Sequence, residues 1–402
     1  MAITKVLLPA LALASVALAQ SRTTSSICAG PSFTITSNAE ATQIADCSTY
    51  RGDIYIDSSA SGQISLDGIE QITGDLTVDN ATQLTAITSD KIGTIGGVFS
   101  LTGLTIMSTL QFDALTRVNR INWVGLPALQ SLNFAQGVSE SNEIYISNTQ
   151  LNNINGIELT AVGSLDINNN PYLTSVDVNA LRNVTTALAF SANGRELEIS
   201  FPNLRDAANL TFRDVSKIEM PSLANVGGSI GFYTDKFESF AAPNLTRTGG
   251  TLAFVDCPEL NNLSFPSLEL IGGGFLLANN TELTAIRGFP QLATVVGALD
   301  FAGTFESVTL NSLSDVRGGS NVQTTSTNST ICDLFNTAHE RGAIKGVNTC
   351  ITGTETPQSN QSTTGTGSSP TGTGSSDGNG AGALAPVSFT GLAGLVAALL
   401  FI

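Results

Sequence analysis

Carboxylates, cysteines and asparagines carry most of the chemistry open to this chain. Cleaving a glycosidic bond takes two carboxyl groups about 5–9.5 Å apart, one an acid and the other a base or nucleophile. Asp214, Asp256, Glu259 and Glu282 stand at repeating points of the sequence. Asp214 and Asp256 fall where an extended stretch must turn, a place where Asp serves the backbone. Glu259 and Glu282 each precede a Leu that faces a core. Spacing alone brings no two of these acids to catalytic separation. The single histidine, His339, lies outside the repeated region, between the last two cysteines. There is no phosphate-binding loop or metalloprotease motif. No catalytic residue, metal ligand or cofactor is assigned on this basis.

Two residue types point instead to a secreted, modified protein. Sequons occur at Asn80, Asn183, Asn209, Asn244, Asn262, Asn279, Asn328 and Asn360, each an acceptor for N-glycosylation. Of the five cysteines, Cys28 and Cys47 lie near the start and Cys332 and Cys350 near the end of the repeated part. An oxidising compartment permits disulfides. Pairing Cys28 with Cys47 and Cys332 with Cys350 closes one short loop at each end, with a gain of about 3 kcal/mol per loop. Cys257 is left over and reads as a buried free thiol.

The elements that position these residues repeat. The copy G-G-T-L-A-F-V-D-C-P-E-L-N-N-L from Gly249 matches G-G-F-L-L-A-N-N-T-E-L-T-A-I from Gly273. Their leading apolar residue recurs at Ile54, Leu76, Phe99, Ile121, Ile144, Leu165, Leu188, Leu210, Ile230, Leu252, Phe275 and Leu299. A second apolar residue follows two positions later in every copy, as in Ile56, Trp123, Phe212 and Phe301. That is the period of a strand with one buried face. Four positions after the leading residue stand turn formers or small residues, among them Asn80, Gly103, Asn169 and Asp256. Further apolar pairs and Pro-x-Leu steps supply two more short stretches per copy.

One such coil cannot bury its own apolar side, but stacked coils can. The predicted fold is all-β: a right-handed parallel β-solenoid of about twelve coils of 20–24 residues with disulfide-capped ends. At about 4.8 Å per coil it makes a rod roughly 55–60 Å long. A leucine-rich horseshoe is the competing architecture. Its signature places Asn three residues after the second strand residue. Here the turn residue comes two after, and helical segments are missing from the array.

The ends read as processing signals. Residues 1–19 form a secretory signal, with Lys5, an apolar run and the cleavage site Ala17-Leu18-Ala19. Residues 20–350 hold the ectodomain. Residues 351–379 are rich in Thr, Ser and Gly and read as a glycosylated stalk. Residues 380–402 end in an apolar run after small residues, the pattern exchanged for a glycosylphosphatidylinositol (GPI) lipid, with Asn379 as the preferred attachment residue and Asp377, Gly378 and Gly380 as alternatives. The expected location is the outer side of the plasma membrane, with transfer to a cell wall as a further step.

A formal net charge of -16 repels phosphate backbones, so nucleic acid is not an expected partner. Outward positions between the paired apolar residues include Tyr55, Thr77, Ser100, Asn122, Tyr145 and Asp166. Tyr55 and Tyr145 are the aromatic candidates for glycan contact. They lie four coils apart, and a solvated polar face is the simpler account of these positions. Trp123 falls on the inward phase and reads as core.

The whole pattern resembles the fungal GPI-anchored wall proteins of the extracellular-mutant and sporulation-specific family, whose repeats are like receptor L-domains. The carrying residues are C-S-T-Y-R-G-D-I-Y-I at Cys47–Ile56, the F-P-x-L…G-G-x-L-x-F coils through Leu299, and C-D-L-F-N…N-T-C at Cys332–Cys350. The resemblance implies a role in cell-wall organisation and integrity, and it transfers no catalytic residue. Wall glycans or wall proteins, and the membrane through the GPI lipid, are the partners it leads one to expect.

Overall fold

The computed structural model describes residues 26–360. They form a parallel β-solenoid of about thirteen turns. One 23-stranded sheet runs its whole length, with smaller parallel sheets of two or three strands on its other sides. Among the described residues no helix is long and apolar enough to cross a membrane.

The register follows the apolar pattern. Ile54 pairs with Leu76, Leu76 with Phe99 and Phe99 with Ile121, and the column continues through Phe275 and Leu299. Leading and second apolar residues point inward and are buried. In the second column Phe190, Phe212, Phe232 and Phe254 stack, with centroids 6.1, 5.4 and 4.6 Å apart in succession. Alternation along a strand puts its other side chains on the outer face.

The turn position is where the backbone enters the left-handed region. Asn80, Asn148, Asn169, Ala192, Asp214, Thr234, Asp256 and Asn279 all have positive φ, and so do Gly103 and Gly125. Asn and Asp tolerate that conformation best after glycine. Ahead of each later strand, glycines stack between coils. A Cβ on Gly273 would lie 2.6 Å from the carbonyl carbon of Gly250, and one on Gly249 only 1.9 Å from the Gly227 oxygen. Side chains here would hold the coils apart.

Three rungs extend the twelve-copy pattern, the last being Asn348 and Cys350, which pair with Ser320 and Val322. Phe33 and Ile35 pair with Ile54 and Ile56, and Ser320 and Val322 pair with Leu299 and Phe301. The second rung lacks an apolar leading residue: Ser320 donates to Asn348 Oδ1 at 2.6 Å. The ends are closed by the expected disulfides. Cys28–Cys47 and Cys332–Cys350 each have Cα atoms 5.5 Å apart. The C-terminal cap also contains a helix, Thr330–Glu340, which buries Ile331, Phe335 and Ala338. These lie at i, i+4 and i+7, one helical face. Phe335 reaches the last coils, 6.2 Å from Phe301.

Candidate functional site

The outward face of the long sheet is the broadest surface the fold builds. One column of side chains on it runs Tyr55, Thr77, Ser100, Asn122, Tyr145 and Asp166 on neighbouring strands. Tyr55 and Tyr145 share this face and are both half-buried. Four strand spacings separate them, roughly 19 Å, so the fold aligns them without bringing them together. The side chains between and beside them are linked. Asn122 Nδ2 donates to Ser100 Oγ at 3.1 Å. Ser147 donates to Asn168 Oδ1 at 2.8 Å, and Asn168 Nδ2 donates to Asp166 Oδ1 at 2.9 Å. Burial raises the Asp166 carboxyl above its usual range, and the Asn168 bond offsets part of the rise. Farther along, Arg213 lies over the Tyr233 ring, 4.1 Å from its centroid.

Two of the four acids singled out for hydrolytic chemistry do structural work. Asp214 accepts the Thr234 hydroxyl at 2.9 Å, and Asp256 accepts Asn279 Nδ2 at 2.9 Å. Both acids occupy left-handed turns. Glu259 and Glu282 are exposed. His339 Nδ1 lies 3.0 Å from the Ile344 carbonyl, inside the C-terminal cap. Among the described residues no group of three or more His, Cys, Asp or Glu could hold a metal ion.

A column of buried polar residues runs beside the turns. It lies three residues after the second strand residue, one past the turn. Thr149, Asn170, Asn193, Asp235, Cys257 and Asn280 occupy it, all buried. This is the Asn place of the leucine-rich signature, one position after the turn residue. Asn280 Oδ1 accepts the Cys257 N–H at 3.0 Å, and its Nδ2 donates to the Phe254 carbonyl at 3.0 Å. Asn193 likewise accepts the Asn170 N–H at 3.2 Å and donates to the Ile167 carbonyl at 2.8 Å. Each amide thus joins two turns where the backbone leaves the ladder, satisfying groups that burial would otherwise orphan.

Asp235 fills the same place with an acid. Its Oδ1 accepts the Val215 N–H at 2.8 Å, while its buried Oδ2 has no hydrogen-bond partner. Burial pushes this carboxyl up to about 8. The Val215 and Tyr233 N–H groups and Arg213 pull the other way, and Asp214 adds to the rise.

Of the sequon asparagines, seven are exposed and Asn209 is half-buried. None stands in the outward column from Tyr55 to Thr211 or in the parallel column from Asp79 to Arg213. Asn80 and Asn279 flank the face at its turns. Asn379 and most of the stalk lie outside the described residues, as do the signal segment and the residues expected to be removed with the tail.

Known fungal proteins match this chain in sequence over most of its length. Protein ecm33 of Aspergillus fumigatus is 40% identical over 352 residues, covering 87% of this chain and 86% of its own length. The chain belongs to the Ecm33 family. The family profile, described as GPI-anchored cell wall organization protein, matches residues 1–45. A cell surface GPI-anchored protein of Arthroderma benhamiae is 38% identical, covering 89% of this chain and 90% of its own. The cell surface GPI-anchored protein ECM33 of Candida albicans is 32% identical over 90% of this chain and 87% of its own. No solved structure matches. Two of these relatives are named for the cell surface and the GPI anchor, and none of the three for a reaction.

Proposed function

We propose that this Ecm33-family protein is a non-enzymatic, GPI-anchored glycoprotein of the fungal surface. It serves cell-wall organisation by contacting wall glycans or wall proteins through the outward face of its long sheet. The carrying observation is that face itself. It is continuous over many coils, rich in hydroxyl and amide groups, and free of sequons along its two central columns, while N-glycans would cover the flanks. Hydroxyls and amides spaced about 4.8 Å apart suit an extended polysaccharide better than a small molecule. The half-buried rings of Tyr55 and Tyr145 offer platforms for sugar rings. The GPI lipid is carried at Asn379 after loss of residues 380–402, and eight N-glycans protect the remaining sides.

The test is binding and turnover in one sample. The purified glycoprotein is incubated with β-glucan and chitin oligomers, bound sugar is measured, and products are analysed. Retention without products is expected. Changing Tyr55 and Tyr145 together to Ala should weaken retention by about tenfold, the loss of roughly 1.4 kcal/mol of stacking, and leave Tm unchanged. Turnover abolished by one carboxylate substitution would sink the non-enzymatic reading. Normal wall composition in a deletion strain would sink the role in the wall.

A further inference from the structure

On a chain of net charge -16, several basic side chains meet an acid on the neighbouring coil. Arg117 pairs with Glu140 at 2.7 Å, Arg120 with Glu143 at 2.9 Å and Lys345 with Asp315 at 2.6 Å. Arg182 and Arg205 depart from that rule. The Arg205 N–H donates to the Arg182 carbonyl at 2.9 Å, so the two residues stand on successive coils, about 4.8 Å apart. Both are exposed. Among the described residues neither guanidinium has an ion-pair or hydrogen-bond partner. Like charges on facing rungs repel each other, and an anion held between them would turn that repulsion into attraction.

The two arginines line a groove of about 790 Å³, a size common among small-molecule sites. The next rung is short. The Ala224 N–H donates to the Arg205 carbonyl at 2.8 Å, and its methyl group leaves open the space beside the arginines. Asn203, Ser222 and Asn244 also line the groove, each tied to the coil before it. Asn203 Nδ2 donates to the Asn179 carbonyl at 2.8 Å, Ser222 to the Pro202 carbonyl at 2.6 Å and Asn244 Nδ2 to the Pro221 carbonyl at 2.8 Å. The Oδ1 atoms of Asn203 and Asn244 have no partner among the described residues. Asp206 Oδ1 accepts Asn225 Nδ2 at 2.8 Å, and its other oxygen is equally unused. The groove thus combines cationic donors with open acceptors. None of these residues belongs to the outward columns that contain Tyr55 and Tyr145.

We propose that this groove binds a phosphorylated sugar. The phosphate bridges Arg182 and Arg205, and the sugar hydroxyls donate to Asn203 Oδ1 and to Asp206. A carboxylate fills the fork of one guanidinium with its two oxygens. A phosphate monoester has three oxygens and a charge of about -1.5 to -2, enough for two forks. Open acceptors suit a ligand that brings its own hydroxyl donors, and Asp206 repels a second phosphate. Two sources carry this chemistry. One is an N-glycan of this protein, since the sequon residues Asn183 and Asn244 line the same groove. The other is a separate glycan. The groove lies off the long outward face, so this proposal and the glycan contact at Tyr55 and Tyr145 stand or fall separately.

The test titrates the purified glycoprotein at low salt with glucose 6-phosphate, inorganic phosphate, glucuronate and glucose, followed by ligand-observed NMR. Glucose 6-phosphate should bind at least about tenfold tighter than each of the other three, one charge-assisted contact or more. Arg182→Gln and Arg205→Gln should each weaken it by at least about tenfold and leave Tm unchanged, since both side chains are exposed. Arg287→Gln, an exposed arginine on a later coil, should leave binding as it is. Equal affinity for inorganic phosphate overturns the sugar, and equal affinity for glucuronate overturns the phosphate. Unchanged binding in the Arg182→Gln, Arg205→Gln double variant overturns the site. Repeating the titration after enzymatic trimming of the N-glycans separates the sources. Arginine-dependent affinity that rises at least about tenfold, as a tethered competitor is removed, assigns the groove to an N-glycan of this protein. Arginine-dependent affinity that stays the same assigns it to a separate glycan.

Discussion

The buried polar column has two stretches that solve one problem differently. Between Thr149 and Asn193 every rung is an amide or a hydroxyl. Asn170 there accepts the Thr149 N–H and hydroxyl at 3.0 and 2.6 Å, and donates to the Ile146 carbonyl at 3.2 Å. Between Val215 and Asn280 the rungs are uneven. Val215 offers no polar side chain, Asp235 leaves one oxygen without a partner, and Cys257 brings a thiol. Both stretches keep the same turns and register. Turns and register thus survive a rung with no polar side chain, and what an amide adds is an acceptor for one backbone N–H and a donor for one backbone carbonyl.

Breaking the well-satisfied stretch should cost most. Asn170→Leu keeps volume but leaves the Thr149 N–H and the Ile146 carbonyl buried and unpaired. Each orphaned group costs about 1–3 kcal/mol, so a loss of about 3 kcal/mol and a Tm drop of roughly 6–12 °C is expected. Thermal unfolding followed by circular dichroism measures it. A drop no larger than that of an exposed-site control such as Asn155→Leu would mean the amide column carries no stability.

The acid rung makes the contrast depend on pH. Register places the Phe212 carbonyl opposite Asp235 where Asn280 faces Phe254. A protonated Oδ2 can donate there, as the amides do, whereas a carboxylate sets acceptor against acceptor. The folded value is raised from 3.8 to about 8, so the folded state holds a proton the unfolded chain has released. The contribution is full below about pH 4, falls as pH rises, and is lost above about pH 8. Asp235→Asn should flatten this part of the Tm–pH curve, and its advantage over the parent should grow from pH 5 to pH 8. Parallel curves for the two proteins would show that Asp235 ionises freely in the folded state.

How much of this the sequence disclosed depends on which side of the strand a residue faces. Inward residues carry a period: Ile54, Phe99 and Leu252 mark strands, and Asn169 or Asp256 marks the turn after them. Those positions disclose the solenoid and its spacing, and the cysteines near the two ends of the repeat disclose both disulfides. The rung at Ser320 broke the apolar pattern because a side-chain hydrogen bond replaced packing there. The cap helix was hidden because it is a single element without a repeat to reveal it. Asn170, Asn193 and Asn280 look like ordinary loop asparagines until their neighbours on the next coil are known. Asp235 and Cys257 conceal the column further by filling it with other chemistry. Tyr55 and Tyr145 were legible as outward residues, but the hydrogen-bonded row between Ser147 and Asp166 depends on contacts across coils.

The Cys257 rung gives the smallest expected effect and the sharpest test of what the column requires. Its Sγ lies 3.5 Å from the Val255 carbonyl and 3.8 Å from the Phe232 carbonyl, contacts that a weak S–H donor makes at little energy. Burial, with Asp235 nearby, pushes the thiol up to about 12, so it should resist alkylation in the folded protein and react only on unfolding. Cys257→Ala keeps its own N–H bonded to Asn280 Oδ1 and should cost about 1 kcal/mol, a packing loss. Asn280→Ala removes the acceptor from that N–H and the donor from the Phe254 carbonyl, and should cost about 2–3 kcal/mol. The pair separates a rung that fills space from one that satisfies backbone. If Cys257→Ala proved as harmful as Asn280→Ala, packing rather than hydrogen bonding would set the value of the whole column.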